Sequence, residues 1–74
     1  MTLCEAQLGQ DCRVEAIELK HDTSRRLEML GLTRGTTIRL LNAKKNGAVI
    51  IRVRGTRFAL GREIAEGIEV TICG

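Results

Sequence analysis

Five stretches of the chain alternate between apolar and polar residues, which is the period of a β-strand with one buried face. They span residues 11–19, 37–41, 49–54, 57–60 and 68–73. In the first stretch the apolar phase slips by one position, which predicts a bulge or a sharp bend near Ala16–Ile17. The pattern therefore predicts five short strands.

One segment, "HDTSRRLEML", lacks this alternation and has the marks of a helix. Leu27 and Leu30 lie three residues apart and would share one helix face. Asp22, Thr23 and Ser24 precede them, and all three are good N-cap residues. The sequence thus predicts one α-helix of about two turns between the first and second strands.

The stretch "MLGLTRGTTIRLL" is compatible with two structures. A helix, a glycine and a turn could lead into a strand, or they could open a helix-turn-helix. Gly31 stands where a left-handed residue can end a helix, and Leu32 can pack back on Leu27 in a Schellman motif. Gly35 stands at a turn position that needs positive φ. Since residues 37–41 then alternate with a period of two, the stretch predicts a strand and no recognition helix.

Short connections fill the rest of the chain. The Asn46-Gly47 pair is a strong hairpin signal, and Gly55 lies in a second tight turn, "RGT". The segment "GREIAEG" is typical of a single helical turn that ends at Gly67. The N-terminal "MTLCEAQLGQ" is interpreted as a short turn that plugs one end of the core.

These elements predict a mainly β fold. A sheet of five short strands on a small core has to curl to hide its edges. We expect a small, partly open five-stranded barrel, with the one α-helix between strands one and two covering one mouth. Residues 1–74 are expected to form a single domain.

Composition limits both the core and the surroundings of the protein. Apolar residues make up 43% of the 74 residues and Phe58 is the only aromatic one, so the core has to be aliphatic. No apolar run approaches the ~18 residues that a membrane span needs. The N-terminus lacks the basic-then-apolar pattern of a signal peptide. We expect a cytoplasmic protein without membrane insertion, whose cysteines stay reduced.

The net charge of +3 conceals an uneven distribution. Residues 20–62 carry eleven basic and two acidic side chains, whereas the two flanks together carry one basic and seven acidic ones. A basic middle segment is typical of a protein that binds nucleic acid. The alternative is that these charges only solvate the surface of the barrel. Because Phe58 is the only aromatic residue among these charges, the segment has almost nothing to stack on bases, and we expect no nucleic-acid partner.

At this level of detail the chain resembles the FeoA family of small SH3-like proteins of bacterial ferrous iron uptake. The most specific matching segments are "RRLEMLGLTRG" and "VRGTRFALGREIAEGIEV", and the likeness covers almost the whole chain. The departures are Arg34, where the family often has proline, Gly61, where another polar residue is common, and the cysteines. The resemblance implies an SH3-like barrel without enzymatic activity or cofactor.

The resemblance also implies a partner, the FeoB ferrous iron permease, whose cytosolic part is a G-protein domain. The same SH3-like unit forms the C-terminal domain of metal-dependent repressors, so a metal-sensing or nucleic-acid-binding module is the alternative function. The direction of any effect on GTP hydrolysis stays open, and so does the oligomeric state, including a weak homo-oligomer.

Catalytic and metal sites have little support in the residues. His21, the only histidine, would need a nucleophile and a positioned third group to act in catalysis. Four side chains could ligate a soft metal, which is the number that zinc takes; they are Cys4, Cys12, His21 and Cys73. No CxxC spacing is present, and strand parity places Cys12 and Cys73 on different faces. We expect Cys12 to be a small buried hydrophobe and expect no metal site.

Partner-binding candidates lie on the outward phase of the second to fourth strands. This face would present two apolar side chains inside a rim of arginines, and its members are Arg39, Leu41, Ile50, Arg52 and Arg57. Leu41 and Ile50 flank the hairpin and are expected to be near cross-strand neighbours. The alternative is that the helix or the N-terminal segment covers them. A second candidate surface is the helix start, where Arg25 and Arg26 oppose the helix dipole.

Overall fold

The computed structural model describes residues 1–73 and contains five strands and three short helical elements. The elements are a 3₁₀ turn at Leu3–Glu5, β1 at Asp11–Ile17, α1 at His21–Met29, β2 at Thr37–Ala43, β3 at Val49–Val53, β4 at Thr56–Leu60, α2 at Arg62–Glu66 and β5 at Ile68–Ile72. The five predicted strands and the helix between β1 and β2 are confirmed. Within the described part of the chain, no helix is long and apolar enough to cross a membrane.

The structure has two α-helices, whereas the sequence predicted one. The second helix is α2. Gly61 precedes α2 in an extended conformation, and its carbonyl accepts a 3.0 Å hydrogen bond from the Ala65 backbone N–H. The segment "GREIAEG" was predicted to form one helical turn. Ala65 is fully buried, and its packing against the core stabilises this turn.

All strand pairs are antiparallel, and the strand order across the sheet is β4-β3-β2-β1-β5. The two edge strands do not pair within residues 1–73, so the predicted barrel is an open, curled sheet. The sheet has to curl because only residues 61–67 connect the β4 edge to the β5 edge. On the β5 edge, Val70 N–H donates a 2.8 Å hydrogen bond to the Met1 carbonyl, and Thr2 bridges to Glu69. The chain's own N-terminus thus occupies the edge that full closure would need.

The core is aliphatic, as the composition predicts. Its buried apolar side chains come from every strand, from both helices and from the N-terminal turn; they are Leu3, Cys12, Val14, Leu27, Leu32, Ile38, Leu40, Val49, Ile51, Val53, Leu60, Ala65, Ile68 and Val70. Helix α1 contributes only Leu27 to this set. The N-terminal turn contributes Leu3 and packs against α2 and β5.

Helix α1 begins earlier than its capping pattern suggests. The N-cap residue is Lys20, whose side chain makes no capping hydrogen bond. The prediction of Asp22, Thr23 or Ser24 as N-cap is therefore wrong. The Ser24 backbone N–H already donates to the Lys20 carbonyl at 2.9 Å, which places all three candidates inside the first turn. Asp22 still carries its negative charge near the positive end of the helix dipole.

The end of α1 has the Schellman geometry that the spacing predicts. Gly31 has φ +91°, and its N–H donates to the Glu28 carbonyl at 3.0 Å. Leu32 N–H donates to the Leu27 carbonyl at 2.9 Å, and both leucine side chains are buried. After a turn in which Gly35 has φ +89°, the chain enters β2, so no helix-turn-helix forms.

The β3–β4 hairpin turns on two residues with positive φ. Arg54 has φ +51° and Gly55 has φ +81°, as a tight two-residue turn between antiparallel strands requires. Arg54 is the only non-glycine residue with positive φ among residues 1–73. Its side chain lies over the end of α1, since a Cβ placed on Gly31 would be 3.4 Å from Arg54 Cδ. The hairpin tip and the helix end therefore contact each other.

Two register shifts interrupt the sheet. The shift between β1 and β5 falls between Val14 and Ala16, next to the predicted bend. A second shift, which the alternation did not predict, lies in β2 between Leu40 and Asn42. Leu41 is the extra residue of this second bulge, and the change of register alters the neighbours of the outer face there.

Gly31→Ala is expected to lower the free energy of unfolding by about 1 kcal/mol, because alanine disfavours positive φ. Gly31→Val should lower it further, since a β-branched side chain fits this conformation worse. Thermal and urea unfolding measure both changes. Gly61→Ala is the control, because Gly61 has φ −67° and a Cβ there would contact nothing within 4 Å. Equal stability of wild type and both Gly31 variants would contradict the assignment.

Candidate functional site

A row of charged side chains crosses the outer face of the sheet. The strand register places Asp11 opposite Arg39, Arg39 opposite Arg52, and Arg52 opposite Arg57. We call Arg39, Arg52 and Arg57 the arginine row. The alternation of buried and exposed positions puts all three guanidinium groups on the solvent side of β2, β3 and β4. Like charges at directly opposite positions destabilise a sheet, so the row is not a feature that folding stability alone would favour.

Only one member of the row has an ionic partner within residues 1–73. Arg39 Nε donates to Asp11 Oδ1 at 2.7 Å, and Arg39 Nη2 donates to Asp11 Oδ2 at 3.2 Å. The hydrogen bond from Arg39 lowers the pKa of Asp11, and the same bond raises the pKa of the Arg39 guanidinium. The pair is therefore charged at neutral pH, while Arg52 and Arg57 make no ion pair in the described part of the chain.

Beside the row lies an open cleft of about 190 Å³, which we call the arginine cleft. Its lining residues are Asp11, Thr37, Ile38, Arg39, Arg52, Arg54 and Gly55. Three arginines and one aspartate are thus among the residues that line a space large enough for a small anionic group. Guanidinium groups bind planar carboxylates and phosphates through paired hydrogen bonds, so the cleft is suited to an anion.

Four residues of the cleft lining, Asp11, Thr37, Ile38 and Arg54, were not among the predicted site residues. Asp11 faces it through the pairing of β1 with β2, which joins residues 28 positions apart. Arg54 reaches it from the hairpin tip, and Thr37 from the first position of β2. The "RG" pair between two alternating stretches is the only local signal that could have found Arg54. The long-range register of β1 could not be read from the pattern.

The two apolar residues of the predicted docking face are half-buried. The bulge in β2 makes Asn42 the direct partner of Ile50, and Leu41 is the neighbouring bulge residue. Leu41 and Ile50, which were predicted to be near cross-strand neighbours, are therefore adjacent in the pairing without being directly opposite. Neither side chain belongs to the half-buried apolar residues that pack against the core. Leu41 and Ile50 are therefore partly available to a partner on the same side as the arginine row.

The second candidate surface, Arg25 and Arg26, was predicted at the helix start, and this placement is wrong. Because α1 begins at His21, the two arginines lie in its second half, and Arg26 is in the last turn, where a positive charge suits the helix dipole. Arg25 and Arg26 lie on α1 with exposed side chains, and neither has an ionic partner among residues 1–73. In the same last turn and at the C-cap, Met29 is 87% exposed and Leu30 is 52% exposed.

The four soft-ligand candidates do not come together. Cys4 is exposed in the N-terminal turn, Cys12 is buried in β1, and His21 is the exposed first residue of α1. Cys73 is half-buried just after β5, where its N–H donates to the Asp11 carbonyl at 2.9 Å. Residues 1–73 contain no group of three His, Cys, Asp or Glu side chains arranged to hold a metal ion.

The thiol environments favour the protonated form. Burial raises the pKa of Cys12, and the nearby Cys73 and Asp11 add to the rise. Desolvation also raises the pKa of Cys4, with a further contribution from Glu66. Raised pKa values lower the fraction of thiolate, which is the form that ligates metals and attacks electrophiles.

A single curled sheet of five antiparallel strands, with a helix between the first two, defines the class of small SH3-like β domains. The sequence narrows this class further. The FeoA domain family matches residues 1–72, and the chain belongs to this family.

Solved structures agree with this assignment. The FeoA protein from Chlorobium tepidum is 31% identical with a TM-score of 0.92, over 100% of this chain and 71% of that one. The crystal structure of an iron uptake regulatory protein (FeoA) is 34% identical with a TM-score of 0.89, over 99% and 97% of the two chains. The manganese-activated repressor ScaR is 31% identical with a TM-score of 0.83, but this chain covers only 34% of it. No curated protein matches the chain.

Arg39→Gln is expected to raise the pKa of Asp11 toward its ordinary value, because the hydrogen bond that lowers this pKa is lost. A carboxyl with a lowered folded-state pKa stabilises the protein above its unfolded-state pKa, and this stabilisation is lost as pH falls through the folded-state pKa. Wild type and variant should therefore converge in stability in acid. Side-chain carboxyl shifts followed by NMR give the pKa. An unchanged pKa of Asp11 would show that the pair is absent in solution.

Cys12→Ala is expected to lower the free energy of unfolding by about 1 kcal/mol, because removal of the buried sulfur leaves a small cavity. Metal content should be the same in both proteins, since Cys12 is a core residue. Chemical denaturation and elemental analysis of the purified proteins measure the two quantities. About one zinc or iron per chain in the wild type, lost in the variant, would overturn this assignment.

Proposed function

We propose that this chain is a non-enzymatic, cytoplasmic accessory protein of bacterial ferrous iron uptake, which acts by binding the cytosolic G-protein domain of a FeoB-type permease. Membership of the FeoA domain family supports the pathway. A FeoA protein of similar length described as an iron uptake regulatory protein supports it as well. The partner and the mode of action are the parts that experiment has to test.

The observation that carries a binding function is the arginine row next to the half-buried Leu41 and Ile50. In protein interfaces, apolar contacts at the centre supply most of the affinity, and charges around them set orientation and encounter rate. The outer face of β2, β3 and β4 has this arrangement on rigid, paired strands. The proposed role needs no metal, cofactor or catalytic group.

The likeness to the repressor ScaR supports a second candidate, a metal-sensing or nucleic-acid-binding module. The two candidates differ in measurable ways. Binding to nucleic acid would weaken steeply with salt, because each neutralised phosphate releases counterions. A metal-sensing module would retain stoichiometric metal through purification. The accessory-protein proposal predicts neither of these properties.

The double variant Leu41→Glu, Ile50→Glu is expected to remain folded and to lose binding to the cytosolic domain of the permease. Two carboxylates at half-buried outer positions would leave the core intact but would have to be desolvated in the complex. Co-purification and calorimetry measure binding, and circular dichroism checks folding. Met29→Glu adds one negative charge at an exposed position of α1 and should bind as wild type does. Wild-type affinity in the folded double variant, with loss of binding in Met29→Glu, would move the interface to the helix.

Arg52→Glu is expected to weaken binding to the permease domain most strongly at low salt. Reversal of an exposed charge acts over a distance that the Debye length limits to about 10 Å at 0.1 M ionic strength. The loss should therefore shrink as salt increases and should appear mainly in the association rate. Surface plasmon resonance at several salt concentrations separates the two rates. A loss that is independent of salt would contradict an electrostatic role for Arg52.

A further inference from the structure

We propose that the arginine cleft binds a carboxylate-rich segment of the partner protein, and that Asp11 occupies part of this site until the segment displaces it. The inference rests on the proposed function, because it names the chemistry of the partner segment that docks beside the arginine row. It assigns to Asp11, Arg52 and Arg54 a role in recognition.

The distribution of charge in the cleft supports an anionic ligand. Arg39, Arg52 and Arg54 bring three positive charges to a space of about 190 Å³, and Asp11 neutralises one of them. Within residues 1–73, neither Arg52 nor Arg54 forms an ion pair. The lining of the cleft therefore includes two arginines, Arg52 and Arg54, whose charges have no ionic partner in the described part of the chain.

Asp11 shows which ligand geometry the cleft accepts. Its two carboxylate oxygens lie 2.7 and 3.2 Å from Arg39 Nε and Nη2, which is the paired arrangement of a bidentate carboxylate. The pair is open to water, with the Arg39 and Asp11 side chains 51% and 42% exposed. An exposed ion pair contributes little net stability. Replacement of Asp11 by an external carboxylate therefore changes the free energy of the ion pair at Arg39 very little. Contacts of the same external segment with Arg52 and Arg54 then add affinity.

Arg54 is held in place before any ligand arrives. It lies at the hairpin tip with φ +51°, a conformation that non-glycine residues rarely adopt. The stem of its side chain packs over Gly31, since Cδ and Nε would lie 3.4 and 3.7 Å from a Cβ at that position. A guanidinium group supported in this way loses less conformational freedom on binding than a free arginine does.

The alternative macromolecular ligand, a nucleic acid, fits the cleft less well. Proteins that bind single strands usually stack bases on aromatic side chains. The only aromatic residue, Phe58, is half-buried against the core and does not line the cleft. The lining includes Thr37 and Ile38 but offers no stacking surface. An acidic protein segment would bind the guanidinium groups through its carboxylates and needs no stacking surface.

The test uses the isolated chain and a short polyglutamate peptide at low salt, with binding followed by NMR shifts and calorimetry. Arg52→Gln and Arg54→Gln should each weaken binding about two- to fivefold, the range of an exposed ion pair. Asp11→Asn should strengthen binding by a similar factor, because it frees Arg39. The controls, Lys45→Gln and Asp22→Asn, make matched charge changes at exposed positions outside the cleft lining and should change affinity less.

The direction of the Asp11 effect distinguishes the proposal from general charge attraction. A gain in affinity for Asp11→Asn that exceeds the gain for Asp22→Asn supports displacement at the cleft. Equal effects of the two variants would overturn it, and so would tight binding of a single-stranded oligonucleotide without binding of polyglutamate. Since the permease is absent from this test, failure of the chain to co-purify with the permease refutes the proposed function separately.

Discussion

The hydrogen-bonded register of β2 with β3 and of β3 with β4 is the constraint on which the proposed site depends. It fixes Arg39, Arg52 and Arg57 at directly opposite positions, where their like charges act against the sheet. The aliphatic side chains on the inner face outweigh this repulsion, because each strand alternates buried residues with the arginines. A shift of one residue in either pairing would turn the arginines into the core. The core therefore holds the charged row in position.

The helix end and the hairpin tip connect this row to the rest of the molecule. The Schellman ending at Gly31 directs the chain into β2, and the Arg54 side chain lies against the same glycine. Asp11 reaches Arg39 only because β1 pairs with β2 on the far side of the row. Local backbone geometry and long-range pairing thus meet at one cleft, the one proposed above as the site of an anionic ligand.

Local signals in the sequence were sufficient for the strands, for the left-handed Gly31 and for the strand that follows Gly35, because each depends on neighbouring residues. The bulge at Leu41 could not be predicted, since it arises from the pairing of two strands rather than from the alternation of one. The ion pair of Asp11 with Arg39 depends on the order of strands in the sheet. The alternation of residues along each strand was sufficient to predict the outer face of the sheet. The cleft on that face could be found only from the pairing of the strands with one another.

Chemical-shift mapping of the isotopically labelled chain, titrated with the cytosolic domain of the permease, tests the central claim most directly. The account predicts that the perturbed amides cluster on β2, β3 and β4, at the arginine row and at the β3–β4 hairpin tip, and that the core of the sheet stays unchanged. Perturbations confined to α1 around Arg25 and Arg26, or none at saturating partner concentration, would contradict it.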